Sequence, residues 1–444
     1  MQETLSFLDR DEFQRKSIAE NIVKLLKPEI DISPLVIDGD WGTGKTEFSI
    51  KLKNLILEQE PKSKVIYIDA FKGDHAESPL LLITSAIART LPERDKQTFI
   101  KKALPAIRFG MKTALKAGAG WVLRQETDNM ADEFQDAIKK ASNAAIDGTV
   151  ENILEDHIEA EKNINSLKAC IEEISSKYKT VIIIDELDRC KPNFSTSILE
   201  VIKHIFDTQN VYFILVTNTK QLRASINHIY GYSLDSQKYL DKFIKYTISL
   251  PDTYKNGRSE SCKTSVTYWL QLAKDSPSLS FIEKNIGEGV RQLISQTNLS
   301  LRETHTYARN LNIFQTLEGN RFNENTYYIY RLIFITAVYI HCFGDKNILK
   351  NEFTSESIDK LADLLKVDSI PYSFERTSDV SRITIMFYGL IKDSLYVNPR
   401  FAPKNEVELK QFDDLYQRFD DSHFLNSTVK SRVNDFIQEM SFIK

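Results

Sequence analysis

The sequence predicts an α/β fold, with a parallel sheet covered by helices on both faces, a helical insertion, and a helical domain after the sheet. Three observations carry that prediction. Short apolar runs bounded by turn or charged residues, separated by stretches of helical periodicity, read as buried parallel strands joined by crossovers. A loop rich in glycine stands between the first of these runs and a helical pattern. After Pro251 the chain reads as mostly helical and rich in aromatics.

Composition fits this picture. The 444 residues are 42% hydrophobic and 27% charged, enough for two or three cores of a soluble globular chain. A formal charge of -4 argues against a global pull toward nucleic acid or anionic membrane and leaves local basic patches open. Cys170, Cys190, Cys262 and Cys342 lie far apart without a CxxC pair, and the stretch MQETLSFLDRDEF has no basic-then-apolar leader. Both favour a reducing cytosol and a cytoplasmic location. The longest uncharged apolar stretch, Leu332 to Gly344, is shorter than the roughly 18 to 20 residues a spanning helix needs, and it reads as a buried core helix. No histidine forms a metal-spaced pair or joins a cysteine cluster, so zinc is not expected.

In chain order, residues 1–33 form a helical lead-in, where Phe13, Ile18, Ile22, Val23 and Leu26 give 11–26 the spacing of an amphipathic helix. The core, 34–255, begins with the strand PLVID, followed by the glycine loop and the helical TEFSIKLKNLILEQ. KVIYID (64–69), TVIIID (180–185), VYFILVTN (211–218) and YTISLP (246–251) read as further strands. More than a hundred residues separate the second strand from the third, too many for one crossover, which predicts a helical insertion over about 90–178. Within it, Arg108, Lys112 and Lys116 form a basic stripe beside the apolar Leu104, Ile107, Met111 and Leu115. Such a stripe suits solvent first, and also an anionic membrane or nucleic acid. Ile164, Leu167, Ile171 and Ile174 make a short coiled-coil-like seam. Residues 256–444 form the C-terminal helical domain.

The loop matches G-x-x-x-x-G-K-[ST] at Gly39, Gly44, Lys45 and Thr46. Side-chain-free positions let backbone N–H groups curl around an anion, and the helix that follows adds its positive end. The expected binding segment is Gly39, Asp40, Trp41, Gly42, Thr43, Gly44, Lys45, Thr46 and Glu47. Lys45 would reach the β- and γ-phosphates, and the Thr46 hydroxyl would ligate Mg²⁺. The spacing assigns Trp41 no chemistry beyond surface or packing.

Hydrolysis also needs a carboxylate for the metal and a group that activates water. TVIIIDELDRC offers both at a strand's C-terminal tip, where open α/β sheets bind ligands. Asp185 would hold Mg²⁺ directly or through water, and Glu186 would act as base or orienter for the attacking water. The sequence Asp185, Glu186, Leu187, Asp188 is not the D-x-x-G of a GTPase, so ATP is the expected nucleotide. At the end of LVTN, Asn218, with Thr217 second, would touch the γ-phosphate or the water, although an asparagine here also serves simply to start a turn.

These residues resemble the KAP family of P-loop NTPases. IIIDELDRC carries the family's Leu-Asp-Arg-Cys after the carboxylates as Leu187, Asp188, Arg189 and Cys190. YIDAFKGDHAESPLLLITSAI is similar to its Phe-x-Ala-Trp segment, with Ala70 kept and Phe71 in place of the tryptophan. QKYLDKFIKYTISLP resembles its Tyr-Leu-x-Lys-Ile segment, and LSLRETHTYARNLN resembles the opening of its helical region. The resemblance spans about 8 to 340 and is strongest over 36–46 and 180–251.

The resemblance implies an ASCE ATPase, with an additional strand and a catalytic glutamate, related to AAA+ and STAND proteins. It further implies a switch or assembly engine associated with phage exclusion and defence, with Arg302 as a second sensor of the γ-phosphate. Arg189 would stabilise transferred phosphate, bridge to a neighbouring subunit, or pair with Asp188 or Glu186. Some members carry spanning helices in the insertion, which the basic stripe with Gly110, Gly118 and Gly120 argues against here. The leading expectation is a Mg²⁺-ATP-driven switch that forms a homo-oligomer and works with a separate effector protein. The rival is a DNA-handling initiator or loader ATPase, which would show salt-sensitive DNA binding.

Overall fold

The computed structural model describes residues 5–76, 78–92, 95–103, 165–205, 208–255, 260–317, 323, 326–419 and 428–441. The chain forms two compact units, Met1–Pro251 and Asp252–Lys444. The lead-in therefore belongs to the first unit.

The first unit holds a five-stranded sheet in which every pairing is parallel. Its strands are β1 (Leu35–Asp38), β2 (Lys64–Asp69), β3 (Thr180–Asp185), β4 (Val211–Thr217) and β5 (Tyr246–Ser249), in the spatial order β2-β3-β4-β1-β5. β4 thus intervenes between the loop-bearing β1 and the carboxylate-bearing β3. Every residue of β3 and β4 is buried, because helices cover both faces of the sheet.

The two-residue side-chain period divides these strands between two cores. Ile182, Ile184, Phe213 and Leu215 join one with the helices Pro79–Thr90 and Pro192–Lys203. Val181, Ile183, Ile214 and Val216 join the other with the helices Lys16–Leu25 and Lys45–Gln59. Each such side chain contributes about 1.5–3 kcal/mol by leaving water.

The first helix begins at Lys16, later than the apolar spacing predicts. Gln14 takes a left-handed φ of 51°, and the Asp11 carboxylate accepts from the Arg15 and Lys16 N–H groups, so the earlier residues turn instead of continuing a helix. Phe13 is still buried, from within that turn. Two helices of the predicted insertion are described, 95–103 and 165–175. They lie side by side, with Ser166 donating to the Lys102 carbonyl at 2.9 Å, and Leu167 and Ile171 pack into the core that faces Pro79–Thr90. Ile164 and the stripe of Arg108, Lys112 and Lys116 lie outside the described residues.

The second unit opens with a short antiparallel pair, β6 (Thr253–Lys255) and β7 (Ser261–Lys263). Three-residue strands among charged residues leave no alternating pattern long enough to see in sequence. Helices follow, built around Tyr328–Phe343, in which Leu332 through Ile340 are all buried. The apolar stretch of the sequence is thus the centre of this unit's core. Among the described residues no helix is long and apolar enough to cross a membrane.

Candidate functional site

The tips of the strands are brought level by their register. Asp38 lies beside Thr217, Asp185 beside Val216, and Asp69 beside Asp185. The loop leaves β1 here and enters the helix Lys45–Gln59. Gly42 and Gly44 take φ of 79° and 84°, a region where a Cβ is strained, and a Cβ at Gly39 would meet the Thr43 hydroxyl at 2.8 Å. No side chain caps this helix at Gly44, so its first N–H groups face the loop, as anion binding requires. The Lys45 ammonium donates to the carbonyls of Gly39 at 2.5 Å and Asp40 at 3.1 Å. Burial lowers its pKa, opposed first by the Asp188 charge and then by Asp185 and Glu186.

From β3, Asp185 reaches under the loop helix with its side chain buried. Three neutral donors meet its carboxylate: the Tyr67 hydroxyl at 2.6 Å, the Glu186 N–H at 2.7 Å and the Ser49 hydroxyl at 3.3 Å. Burial pushes this carboxyl above its usual range while those bonds pull it back. Glu186 follows in a left-handed conformation, φ 62°, which aims its carboxylate at the loop. The Thr46 hydroxyl donates to it at 3.0 Å, and the Arg189 guanidinium pairs with its other oxygen. Burial raises its pKa, and Arg189 is the main opposing influence.

Asp188, also buried, accepts from the Trp41 indole N–H at 2.6 Å and the Thr217 hydroxyl at 3.2 Å. Asn218 starts the turn expected of it. Its carbonyl oxygen caps the helix Thr219–Tyr230, accepting from Lys220 and Gln221, while its amide donates to the Asp40 carboxylate at 3.3 Å. Cys190 is buried with its thiol pKa raised by burial, so it behaves as packing.

On the opposite flank, the buried Arg15 donates to the Thr43 carbonyl at 2.8 Å and the Pro251 carbonyl at 3.0 Å. Glu47 turns to this side too, held by Arg10 at 2.5 Å and Lys51 at 2.8 Å. Burial lifts the Glu47 carboxyl, but hydrogen bonds from Lys51 and Arg10 outweigh it and hold it below the usual range. Lys51 also donates to the Arg10 carbonyl, and Asn54 to that of Leu5.

The fold therefore gathers the loop, Asp185, Glu186, Arg189 and Asn218 in one place, and sends the Glu47 side chain elsewhere. Arg302 belongs to the second unit, exposed on the first turn of the helix Leu301–Leu317. Sequence reasoning missed Tyr67, Ser49, Arg15 and the indole of Trp41, and named Asp188 only as a partner for Arg189, which pairs with Glu186. Ser49 carried a signal, since it sits three residues, about one helical turn, beyond Thr46. The others act across 118 to 147 residues or, for Arg15, from a segment that reads as an ordinary helix.

The donor set suits Mg²⁺. Among the described residues no cluster of three His, Cys, Asp or Glu side chains forms a metal cage. Mg²⁺ takes one or two protein oxygens and completes its shell with water and phosphate, and the Thr46 hydroxyl and Asp185 are oxygens of that kind at the mouth of the loop.

Known proteins and a family model are similar to this chain. The phage T7 exclusion protein of Escherichia coli (strain K12) is 24% identical over 253 residues, covering 54% of this chain. The match spans about a third, 33%, of that protein's own length. A solved structure of the Aeropyrum pernix ORC2 protein, in ADPNP-ADP complexes, overlays 96% of this chain and 95% of its own. Its TM-score is 0.37 at 13% identity, a likeness too distant to carry an argument. The model of the KAP family P-loop domain matches residues 15–317, the span that includes the glycine loop, the strand tips and the buried carboxylates, and the chain belongs to that family.

Proposed function

We propose that this P-loop unit is a Mg²⁺-dependent ATPase that acts as a nucleotide-driven switch or assembly engine in antiphage defence, together with a separate effector protein. One observation carries the enzymatic part: Thr46 and Glu186 meet at 3.0 Å while Asp185 lies buried beneath them, so residues from β3 complete a cradle that starts on β1. The relative named as a phage exclusion protein supports the biological part.

The backbone N–H groups of Gly42 to Thr46 and the Lys45 ammonium would hold the phosphates. Thr46 and Asp185 would hold Mg²⁺, Asp185 directly or through water. The bound ion neutralises charge that develops on the β- and γ-oxygens. Glu186 would accept the proton of the attacking water, or orient it, from its position beside Thr46. Asn218 points its amide at the loop from the tip of β4 and would contact the γ-phosphate or that water. Arg302 as a second sensor follows from the family resemblance, Arg189 acting toward a neighbouring copy from its place beside the loop, and a cytoplasmic location from the dispersed cysteines; with a homo-oligomeric assembly, these belong to the same proposal.

Purified wild-type protein should hydrolyse ATP with Mg²⁺ and lose that activity on chelation. Glu186→Gln should lower kcat by about 10²–10⁴-fold while still binding nucleotide. Lys45→Ala should lose nucleotide binding. A Glu186→Gln variant as fast as wild type would refute the assignment of the base.

A further inference from the structure

We propose that Trp41 is a positioning residue for hydrolysis, fixing the phosphate loop against the carboxylate turn through its hydrogen bond to Asp188; the inference rests on the ATPase reading above. Trp41 is 48% exposed, so its ring is not held by core packing. Its indole N–H instead donates to an Asp188 oxygen at 2.6 Å, and the other oxygen takes the Thr217 hydroxyl at 3.2 Å. One buried carboxylate thus ties three segments: the loop, the turn Leu187–Arg189 and the tip of β4 beside Asn218. Hydrogen bonds to a carboxylate are among the stronger ones.

The loop needs such a tie. Gly42 follows Trp41 directly, and a glycine at positive φ gives the backbone freedom that has to be removed if the cradle is to be preformed. The second half of the loop already has a tie, from Thr46 to Glu186. Both ties end on the same short turn, two residues apart. With both in place, the separation between the cradle and the base is set before substrate arrives, which is the condition for orientation to accelerate the reaction.

Trp41→Phe keeps an aromatic ring and removes the donor. It should lower kcat by about tenfold with KM for ATP within about threefold and the melting temperature within about 2 °C. Asp188→Ala, which removes the acceptor altogether, should lower kcat at least as much, and the double variant should be no worse than Asp188→Ala alone, because the Trp41 link is already cut in it. Additive losses, or a lower melting temperature at unchanged kcat, would overturn the inference.

A second readout does not depend on turnover. Subtracting the emission of Trp41→Phe from that of wild type isolates Trp41, and the same difference taken in the Asp188→Ala background should be shifted without nucleotide. An unshifted signal shows the bond absent and ends the inference. Lack of ATP turnover in the wild type would instead remove the ATPase reading and this inference with it, whereas turnover unaffected by Trp41→Phe removes the inference alone.

Discussion

The phosphate loop has two flanks of opposite chemistry. Toward β3 and β4 it faces buried carboxylates, Asp185 and Asp188, whose hydrogen-bond donors are hydroxyls, an indole and a backbone N–H. Toward the N-terminal segment it faces cations, Arg15 and Lys51, that satisfy backbone carbonyls and the half-exposed Glu47. Burying an anion among neutral donors costs stability, and cations that close off otherwise unsatisfied carbonyls restore it. On the proposed function the first flank would serve chemistry, and the second holds the loop in shape.

If that contrast is right, Asp185→Asn should cut Mg²⁺-dependent turnover by about 100-fold or more, yet leave the nucleotide-free melting temperature equal to or above that of wild type. Coincident loss of turnover and of stability would erase the contrast, since the carboxylate flank would then support the fold as well. Thermal scans with and without Mg²⁺-nucleotide decide it.

Arg15→Met sharpens the other side. It leaves the Thr43 and Pro251 carbonyls without their donor, at about 1–3 kcal/mol each, so melting should fall by about 5–10 °C. ATP binding should weaken by severalfold because Thr43 is part of the loop, while kcat at saturating ATP changes little. A collapse of kcat at unchanged stability would move Arg15 to the chemical flank.

The smallest effect concerns Glu47. Its folded carboxyl titrates below the ordinary value, so its contribution is present above the unfolded pKa of about 4.3 and fades as pH falls through the lower folded one. Water screens a half-exposed pair, so Glu47→Gln should lower melting by only about 1–3 °C at pH 7. The gap from wild type should close below about pH 4. A gap that persists in acid would mean Glu47 contributes by packing.

The carboxylate flank was more legible in sequence than the cationic one. Five short apolar strands and a glycine loop are local patterns, and the strands ended within one or two residues of their readings, as when β4 stops at Thr217 because Asn218 turns to cap the next helix. Asp185 and Glu186 were visible because a strand tip is a fixed address in an open sheet. Tyr67 was not, since an aromatic in KVIYID looks like core until register sets it one strand away from a buried carboxylate. Trp41 was left without chemistry for the same reason, its partner being 147 residues distant. Arg15 was hidden differently, because helical spacing hid the turn that Gln14 forces and with it the direction of the guanidinium.

The left-handed backbone at Glu186 has a consequence for anyone who evolves this molecule. Glycine or asparagine would accept that geometry with less strain, by about 1 kcal/mol, and neither could take a proton from water. If Glu186 is the base proposed above, a library selected for heat resistance alone should drift toward those residues at 186 and lose turnover, so any such selection has to be run with turnover as a second criterion.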